Sequence, residues 1–439
     1  MKNKIFLPFI SLLGVISIAS CSSVDVISGY AKELRNPDGL SHQYDYETVN
    51  SNEYRAFKEK LKSLAARLSE SFAKREYESG TNITCSPLSI ELCLGLAVRS
   101  TNGSTRQELL NLFDVDYETF NTFFKTYFNE LTVEVKDTED KIAMQILLTN
   151  SIWFDNDISL FDSGLDALRD DYYCYSYEVD FGGANASANK AIQDFINDKT
   201  KGLINPKLDL PFNTLFVLMN TLYLKDIWND YGYDLSYASS EHQFTNSNGN
   251  KSNKRLLEGY YFDGRAMNQE DYSAFYTSAR FGVDLYFIKP NESKSIKDIF
   301  TSDVINYVSN KSNYIYRDDE KREEYYTKSV FPEFKADCNL DLIDMFKEDF
   351  NVKTLFTTQC DFSNLTNQEV YCEEIKHIAK LKVDKSGIEG AAVTFMAEAG
   401  ATMPEYKEVH ETFEVDKEFG FVLTYKNSIL FSGIVTNID

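Results

Sequence analysis

Residues 82–113 have the sequence "NITCSPLSIELCLGLAVRSTNGSTRQELLNLF" and hold the densest group of structural signals in this 439-residue chain. Within it, "TRQELLNLF" starts with Thr105 and has Glu108 three residues later, directly before an apolar run. A threonine followed at this spacing by a glutamate is the pattern of a capping box, in which both side chains satisfy free backbone N–H groups at a helix start. The stretch therefore predicts a helix capped by Thr105.

Two further segments have helical periodicity. Apolar residues recur every three or four positions from Tyr54 to Phe72, which predicts a long amphipathic helix at the start of the domain. Another helix is predicted over residues 189–200, where apolar side chains share one face and Gly202 provides the stop.

The predicted strands are long, rich in β-branched or aromatic residues, and apolar in nearly continuous runs, as expected of strands buried on both faces. They are "QILLTNSIWF" at 145–154, "LFVLMNTLYL" at 215–224, "GVDLYFI" at 282–288 and "SILFSGIV" at 428–435. Because helices cluster early and strands dominate late, we expect a mixed α+β domain rather than alternating βαβ units.

The first twenty residues join two lysines to an apolar run and end in small residues before Cys21, the layout of a secretory signal. The ending "ISIASC" resembles the lipobox of bacterial lipoproteins, which implies cleavage before Cys21 and its acylation. A plain signal peptide and an uncleaved anchor stay open. We expect an exported bacterial lipoprotein, anchored in a membrane through Cys21 and facing the periplasm or the cell surface. Residues 21–50 are polar and predict a tether with a reach of about 30 Å.

The chain is strongly acidic, with a formal net charge of −23. Nucleic acid is an unfavourable partner for it, because phosphate binding depends on clustered Lys and Arg. The acidity is interpreted as a solubility feature. The cysteines beyond Cys21 form no C-x-x-C pair, and no disulfide can be assigned from the sequence.

No local catalytic or metal-binding constellation is present, so the chain is not expected to be an enzyme or to bind a cofactor. The histidines at 42, 242, 377 and 410 occur in no H-E-x-x-H spacing, and no G-x-S-x-G, P-loop or G-x-G-x-x-G motif occurs. A Ser-His-Asp triad built from distant residues stays open, because triads are defined by geometry.

Residues 82–113 resemble the N-terminal signature of the serpin family. Its asparagine, S-P-x-S turn and threonine-led helix match Asn82, Ser86, Pro87, Ser89 and Thr105. Further motifs follow in family order: "NSIWF" at 150–154, "VDF" at 179–181, "INDKTKGLI" at 196–204, "LMNTLYLKDIW" at 218–228, "FPEFK" at 331–335, "IKHIAKLKVDKSGIEGAAVT" at 375–394 and "ILFSGIV" at 429–435. The resemblance implies one domain over residues 51–439, of three β-sheets with about eight to nine helices and an exposed reactive-centre loop.

The implied loop lies in "KSGIEGAAVTFMAEAGATMPE", residues 385–405. Small residues cost little side-chain entropy to order, and alternate residues of a strand face one side. If the segment entered a sheet, Ile388, Gly390, Ala392, Thr394 and Met396 would share a face. The resemblance implies that a protease cuts the exposed loop and that the loop then inserts as a new strand. The hinge residues implied are Lys385, Gly387, Ile388, Glu389, Gly390, Ala391, Ala392 and Thr394.

Counting from Gly387, the family's interval places the reactive bond between Ala401 and Thr402, with Met403 as an alternative reactive residue. A small residue before this bond implies an elastase-like or broadly specific protease. The expected partner is this endopeptidase, serine or cysteine, trapped as a covalent acyl-enzyme by a monomeric inhibitor that protects the bacterial cell from exogenous proteases.

The resemblance also implies a polar cluster beneath the middle of the main sheet and a tryptophan where the loop enters. These shutter and breach residues are Ser86, Ser89, Asn220, His377 and Trp228. From the residues alone, His377 fits an ordinary hydrogen-bonded core histidine and Trp228 fits aromatic core.

Several positions depart from the family pattern, including Ile388 in place of the usual threonine and Glu418 in place of a proline. Lys385 stands where an acid is usual, Gly390 replaces an alanine, and Glu398 would face the core late in insertion, where an unpaired carboxylate is costly. Lys385 and Glu398 support an alternative function, a non-inhibitory surface binding protein that is cleaved as a substrate. An enzyme or a carbohydrate-handling surface lipoprotein is a third hypothesis, which the absent motifs disfavour.

Overall fold

The computed structural model describes residues 30–137, 139–228, 235–388 and 406–438. Ten α-helices lie in these ranges, and two of them have five residues or fewer. In chain order they are α1 Tyr46–Asn50, α2 Asn52–Glu76, α3 Pro87–Ser100, α4 Gly103–Phe113, α5 Tyr117–Leu131, α6 Asp162–Tyr172, α7 Phe181–Lys199, α8 Ile296–Ile299, α9 Ser302–Val308 and α10 Ile343–Asp349. Short 3-10 turns cover Lys311–Asn313 and Thr354–Phe356.

Three large sheets and one hairpin contain the described strands. The strands are β1 Lys32–Arg35, β2 Ile83–Cys85, β3 Val133–Lys136, β4 Ile142–Asp155, β5 Cys174–Val179, β6 Phe216–Ile227, β7 Ser236–Tyr237, β8 His242–Thr245, β9 Lys251–Lys254, β10 Leu257–Tyr261, β11 Ala266–Asn268, β12 Tyr272–Ser278, β13 Val283–Pro290, β14 Arg317–Asp318, β15 Glu323–Phe331, β16 Phe334–Asp341, β17 Lys376–Asp384, β18 Gly387–Ile388, β19 Lys407–Glu414, β20 Phe419–Tyr425 and β21 Ser428–Val435. The α+β class, the three sheets and the number of longer helices are as expected from the sequence.

The eight-stranded main sheet has the order β1-β5-β4-β6-β18-β17-β16, with β3 beside β4. A six-stranded sheet has the order β11-β12-β13-β20-β21-β2, and a five-stranded sheet contains β7, β10, β14, β15 and β19. Each of the four predicted strands is present, and the first and second extend to β4 and β6. Within the six-stranded sheet, β20 lies between β13 and β21, and every residue of β20 and β21 is buried.

The main sheet separates two apolar cores, which explains why its strands are apolar on both faces. On one side, α2 and α3 pack with the six-stranded sheet in the larger core. On the other side, α7 covers β4, β5 and β6 in a smaller core built around Trp153 and Phe195. Successive residues of β6 alternate between these cores, so that Leu218 joins the larger one and Met219 the smaller one.

The predicted capping box is wrong. Helix α4 begins at Gly103, two residues before Thr105, and its N-cap Asn102 makes no capping side-chain bond. The Thr105 hydroxyl accepts instead from the Asp361 N–H at 3.1 Å. The carboxylate of Glu108 accepts from the N–H groups of Lys353 and Thr354, at 3.0 and 2.8 Å, and so caps the following 3-10 turn. The local spacing predicted a cap, but both side chains form hydrogen bonds with residues distant in the sequence instead.

The predicted tether is also wrong for residues 30–50. Strand β1 is the edge strand of the main sheet and pairs with β5, and Arg35 forms ion pairs with Asp162 and Asp166 at 2.6 and 2.7 Å. Further along, His42 stacks on Tyr173 with ring centroids 4.2 Å apart. This segment therefore belongs to the domain.

None of the described helices has the length and apolar character that a membrane span requires. The cysteines within the described residues, at 85, 93, 174, 338, 360 and 372, all have free thiols. Residues 1–29, including the expected signal and Cys21, lie outside the described residues.

Candidate functional site

The two residues of β18 lie between β6 and β17 at one end of the main sheet. Gly387 pairs with Ile227 of β6 and Asp384 of β17, and Ile388 pairs with Asp226 and Val383. Both pairings are antiparallel, so β6 and β17 run parallel to each other. The direction from Ile388 towards Phe216 of β6 and Lys376 of β17 is called downward here. Below Ile388, no described strand lies between β6 and β17, and the described residues of these two strands do not pair with each other.

Gly387 occupies a backbone position that only glycine suits. Its φ is +141°, which lies in the region that L side chains rarely adopt. A Cβ at this position would come 2.4 Å from the carbonyl oxygen of Asp226 and 2.9 Å from the Cα of Ile227. The glycine therefore lets the chain turn sharply out of β17 and pass directly against β6.

The Ile388 side chain is fully buried in the larger core. It lines a small cavity together with Leu224, Leu381 and Phe431, which belong to β6, β17 and β21. The first residue after the hinge glycine is therefore seated inside the protein, and its apolar character matches that site.

Polar residues contact the turn that joins β17 to β18. The Trp228 indole N–H donates to the carbonyl of Asp384 at 2.7 Å. Glu333 accepts from the Lys385 N–H at 2.8 Å and from the Tyr237 hydroxyl at 2.9 Å. The Lys385 ammonium lies 5.4 Å from the centre of the Tyr237 ring. Glu333 thus supplies a carboxylate next to Lys385, the position at which the family usually has an acid.

Asp226 is a buried carboxylate directly beside the hinge. It accepts from the N–H groups of Phe281 and Val283, at 3.2 and 3.3 Å. Its burial outweighs these hydrogen bonds and raises the pKa of Asp226 to about 7. Sequence analysis missed this residue, although a single acid inside the apolar run "LMNTLYLKDIW" was a visible signal.

Ser86, Ser89 and His377 meet beneath the main sheet. The Ser86 hydroxyl donates to the carbonyl of Leu430 at 2.8 Å and accepts from the Ser89 N–H at 3.3 Å as the N-cap of α3. The Ser86 N–H donates to Nε2 of His377 at 3.0 Å. Burial lowers the pKa of His377 to about 4, so the ring is neutral with its proton on Nδ1.

Asn220 does not contact this cluster. Its Nδ2 donates to Oδ1 of Asn150 at 2.9 Å, and Asn150 in turn donates to the carbonyl of Tyr172 at 2.8 Å. The Oδ1 atom of Asn220 is buried and has no hydrogen-bond partner among the described residues. A buried acceptor without a partner costs free energy, so this atom marks a position where a donor would be stabilised.

Asn220 and His377 occupy equivalent heights on β6 and β17. Each lies seven residues before the position that pairs with Gly387, Ile227 in one strand and Asp384 in the other. The side chains of Asn220 and His377 face the larger core, like those of Leu218 on β6 and Leu381 on β17. The gap below Ile388 is therefore lined at mid-height by an amide and an imidazole.

The chain re-enters the described structure at Tyr406, next to a different sheet. The Tyr406 hydroxyl donates to Asp319 at 2.9 Å, and the guanidinium of Arg317 lies 4.1 Å from its ring centre. From Lys407 onward, β19 runs parallel to β15 at an edge of the five-stranded sheet. The described chain therefore stops at Ile388 in the main sheet and resumes at Tyr406 beside the five-stranded sheet.

Several predicted site residues lie outside the described residues. They are Glu389, Gly390, Ala391, Ala392, Thr394, Ala401, Thr402, Met403 and Cys21. Of the remaining ones, Lys385, Gly387, Ile388 and Trp228 meet at the hinge, whereas Ser86, Ser89 and His377 meet below the sheet. Besides Asp226, sequence analysis missed Asn150, Glu333 and Tyr406, whose contacts depend on strand pairing. The described residues contain no group of three His, Cys, Asp or Glu side chains suited to a metal ion.

Comparisons with known proteins agree on one family. A family model for "Serpin (serine protease inhibitor)" matches residues 59–438. An uncharacterised serpin-like protein of Thermococcus kodakarensis is 25% identical over 431 residues, which cover 94% of this chain and 96% of that protein. Human Serpin B3 is 25% identical over 378 residues, which cover 80% of this chain and 92% of Serpin B3.

The solved structures give the same fold. The structure of Serpin48, a highly specific serpin of the insect Tenebrio molitor, superposes with a TM-score of 0.71 and 20% identity. The superposition covers 89% of this chain and all of that one. At this identity the likeness concerns the fold.

Proposed function

This chain belongs to the serpin family, and we propose that it is a suicide-substrate inhibitor of serine or cysteine endopeptidases. In a serine protease the active-site oxygen attacks the carbonyl of Ala401, and the bond to Thr402 breaks. The freed amine of Thr402 leaves with a proton, and Ala401 stays bound as an ester. Insertion of the cleaved loop into the main sheet then carries the protease away before water hydrolyses that ester.

The observation that carries this proposal is the position of β18. Gly387 and Ile388 are already paired on both sides, at the mouth of a gap between two parallel strands. A chain that continued downward from Ile388 would run antiparallel to both β6 and β17. Backbone N–H and C=O groups on the facing edges of both strands would then gain partners.

The register supports insertion of this particular sequence. Each further residue descends one step along both strands, so Thr394 would reach the level of Asn220 and His377. Because Ile388 faces the larger core, Thr394 would face it too. Its hydroxyl would donate to the unpartnered Oδ1 of Asn220 and accept from Nδ1 of His377. Phe395 would face the smaller core, at the level of Met219.

The free energy of insertion comes mainly from new strand pairing. About a dozen inserted residues at roughly 1 kcal/mol of net hydrogen bonding each supply on the order of ten kcal/mol. Glu398 opposes the end of the process, because its level is that of Phe216, which packs on Phe362 with ring centres 4.7 Å apart. A carboxylate placed against these rings loses hydration without gaining a partner.

We also propose a lipid anchor at Cys21, which makes this an exported bacterial lipoprotein that faces the periplasm or the cell surface. The sequence "ISIASC" and the short apolar leader support this. Because residues 30–50 pack on the domain, few residues separate the proposed anchor from it. A monomer held near the membrane would protect the cell from elastase-like proteases arriving from outside.

The second candidate is a non-inhibitory surface binding protein that is cleaved as a substrate. It is favoured by Glu398, whose burial would slow the last part of insertion. The variant Glu398→Ala distinguishes the two functions. An inhibitor should form adduct with and without this carboxylate, whereas a binding protein that Glu398 keeps from inserting should give only cleaved chain until Glu398→Ala removes the barrier.

The test is a reaction of the mature chain with an elastase-like serine protease, followed by denaturing gels and intact-mass analysis. We expect a covalent adduct that survives denaturation, and a peptide covering residues 402–439. Cleavage after Met403 instead would give a peptide covering residues 404–439. Cleaved chain together with fully active protease, in the absence of adduct, contradicts the inhibitory function.

The variant Ala401→Arg provides a matched control for the reactive bond. It should transfer adduct formation from the elastase-like protease to a trypsin-like one, because the residue before the cleaved bond fills the specificity pocket. Thr402 and the hinge are unchanged in this variant, so insertion itself should proceed as before. Adduct that still forms only with the elastase would contradict cleavage after Ala401.

A further inference from the structure

The segment from Tyr30 to Tyr46 exposes an unusual share of the apolar surface. Of the twelve large hydrophobic side chains that are exposed among the described residues, four lie in this short segment. Single exposed hydrophobic residues are ordinary on a protein surface, but their concentration in one place is typical of an interaction site. The four are called the edge patch below, and they are Tyr30, Leu40, Tyr44 and Tyr46, with exposed fractions of 50%, 38%, 53% and 70%.

The edge patch follows one side of the domain. Strand β1, which starts two residues after Tyr30, is the edge strand of the main sheet. The chain then passes the start of β5, where His42 stacks on Tyr173. It next reaches the turn between β20 and β21, where Nζ of Lys426 lies 5.2 Å from the centre of the Tyr44 ring. The patch therefore lies on the β1 side of the domain, away from β16 at the other edge of the sheet.

The described chain begins at this patch, close in sequence to the proposed anchor. Nine residue steps lead from Cys21 to Tyr30. Whatever path these residues take, they span at most about 32 Å. An acylated Cys21 would therefore keep Tyr30 within that distance of the bilayer surface. Among the exposed apolar side chains of the described residues, that of Tyr30 is the nearest to Cys21 along the chain.

The composition of the edge patch suits the boundary between lipid and water. Three of its four residues are tyrosines, whose rings are apolar and whose hydroxyls are polar, and such side chains are enriched at the level of lipid headgroups. The surrounding charge is unfavourable for anionic lipid, because residues 30–50 carry four acids against two bases. The chemistry therefore fits a zwitterionic bilayer surface. The acids are Glu33, Asp38, Asp45 and Glu47, and the bases are Lys32 and Arg35.

An anchored domain that stood on the lower end of the main sheet would leave too little room for a captured protease. Strand pairing runs from Lys32 through β5 and β4 to Phe216, so β1 and β6 begin at the same level. If the cleaved loop filled the gap beside β6, Ala401 would lie three residues below Phe216, at the same end as Tyr30. A protease domain of about 220 residues is roughly 44 Å across, which exceeds the limit of about 32 Å set by residues 21–30.

A domain that rests on its β1 side avoids this conflict. Its strands then run along the membrane plane, and the gap between β6 and β17 lies about four strand spacings, or roughly 19 Å, from the edge strand. Insertion would carry the protease parallel to the bilayer rather than into it. This step rests on the proposed function, since it takes the loop to insert and Cys21 to be acylated.

We propose that the edge patch is a lipid-docking surface, and that the anchored domain lies on it with the strands of the main sheet along the bilayer. The tyrosine rings enter the headgroup region of zwitterionic lipid. Docking fixes the orientation of the domain, while the acyl group at Cys21 keeps it at the membrane.

The first test locates the lipid-facing side with tryptophan reporters. The chain from Cys21 onward carries a palmitoyl group coupled chemically to its N-terminal amine and is bound to vesicles of brominated phosphatidylcholine, which quenches only tryptophan that it touches. Trp153 and Trp228 are buried and give a constant background. We expect the added fluorescence of Tyr46→Trp to fall by about half, because an interfacial ring contacts lipid.

The matched control is Phe212→Trp, just below the start of β6. Phe212 is 73% exposed, so this reporter is as accessible as Tyr46→Trp but marks the lower end of the domain. Its fluorescence should stay within about a tenth of its value without bromine, because this end is away from the lipid. Quenching of Phe212→Trp alone would mean that the domain stands on its end, and quenching of neither reporter would mean that it does not dock. Both results overturn the proposal.

The second test omits the acyl group. The chain that begins at Ser22 is sedimented with vesicles of phosphatidylcholine and phosphatidylethanolamine. We expect Tyr46→Ser to weaken its partitioning about fivefold and Phe212→Ser to leave it unchanged, because only the former ring enters the headgroup region. Replacing half of the lipid with phosphatidylglycerol should weaken binding at low salt, because the patch is bordered by acids. Equal partitioning of the two variants would contradict the docking surface.

Two further outcomes separate the hypotheses. If the chain is a dimer without lipid and Tyr46→Ser converts it to a monomer, the patch joins copies of this chain, and the docking proposal is wrong. If intact mass of the chain exported by its own cell shows no acyl group, the proposed anchor fails, while both vesicle tests still decide the docking surface. A chain that forms no adduct with protease likewise refutes inhibition and leaves these two tests unaffected.

Discussion

Gly387 lies so close to Asp226 that the hinge glycine and the edge of β6 are in direct backbone contact. The space between the Gly387 Cα and the Asp226 carbonyl has no room for a methyl group. The turn from β17 into β18 is therefore fixed against β6 by a residue that has no side chain.

The first prediction concerns this contact. Gly387→Ala should lower the free energy of unfolding by about 2–3 kcal/mol, because backbone strain and a steric clash combine. The control Gly39→Ala has a φ of +87° and open space around the Cβ, so it isolates the strain alone at about 1 kcal/mol. Urea denaturation measures both, and hydrogen exchange at the Ile388 amide reports release of β18. Equal losses in the two variants would show that the contact does not constrain the hinge.

The second prediction concerns the buried residue after the hinge. Ile388→Arg should reduce adduct yield to less than a tenth and convert the chain into a substrate, because a charge would have to enter the larger core. Ile388→Val removes one methyl group and should keep the yield within about twofold. The two proteins are compared on denaturing gels at equal protease ratios. An unchanged yield for Ile388→Arg is incompatible with insertion through this site.

The third prediction concerns acid. Because burial depresses the pKa of His377 to about 4, the unfolded chain binds this proton more tightly. Stability is complete above pH 6.5 and falls as the pH drops from about 6.5 to 4, by about 3 kcal/mol from this group. In His377→Gln this part of the slope should disappear, whereas in the exposed control His410→Gln it should persist. The midpoints of urea denaturation, measured between pH 6.5 and 4, test this. If the fall in stability were unchanged in His377→Gln, it would not come from His377.

The fourth prediction concerns Asp226, whose contribution to stability changes with pH in the opposite direction to that of His377. The pKa of Asp226 is raised to about 7, so the folded state binds this proton more tightly. The stabilisation is fully present below pH 4 and is lost as the pH rises to about 7. Asp226→Asn should therefore be more stable than the unchanged chain at pH 8, and the advantage should vanish near pH 4. Thermal unfolding at the two pH values measures it, and a variant less stable at pH 8 would refute the buried charge.

Sequence reasoning was most successful where the signal is local. Runs of apolar residues located β4, β6, β13 and β21, because a strand buried on both faces is apolar at nearly every position. The family motifs marked Gly387, and its contact with β6 gives a steric reason for a glycine there; its role as a hinge stays a prediction.

What the sequence could not provide are pairings between distant segments. The edge strand β1 is short and polar, and only its partner β5 makes it a strand. Glu108 looked like a helix cap until the backbone of Lys353 competed for it. The rings of Phe262, Tyr326 and His410 lie in one row although Phe262 and His410 are nearly 150 positions apart, and nothing in "GYYFDG" or "VHETF" indicates this contact.

The burial of β20 and β21 has a consequence for how a cleaved molecule behaves. Cutting after Ala401 leaves residues 402–439 as a separate polypeptide, yet two of its strands are interior members of the six-stranded sheet. The severed piece will stay in place as a non-covalent subunit. Under native conditions the cleaved protein will migrate as one particle of unchanged mass, and only a denaturant will reveal that it has become two chains.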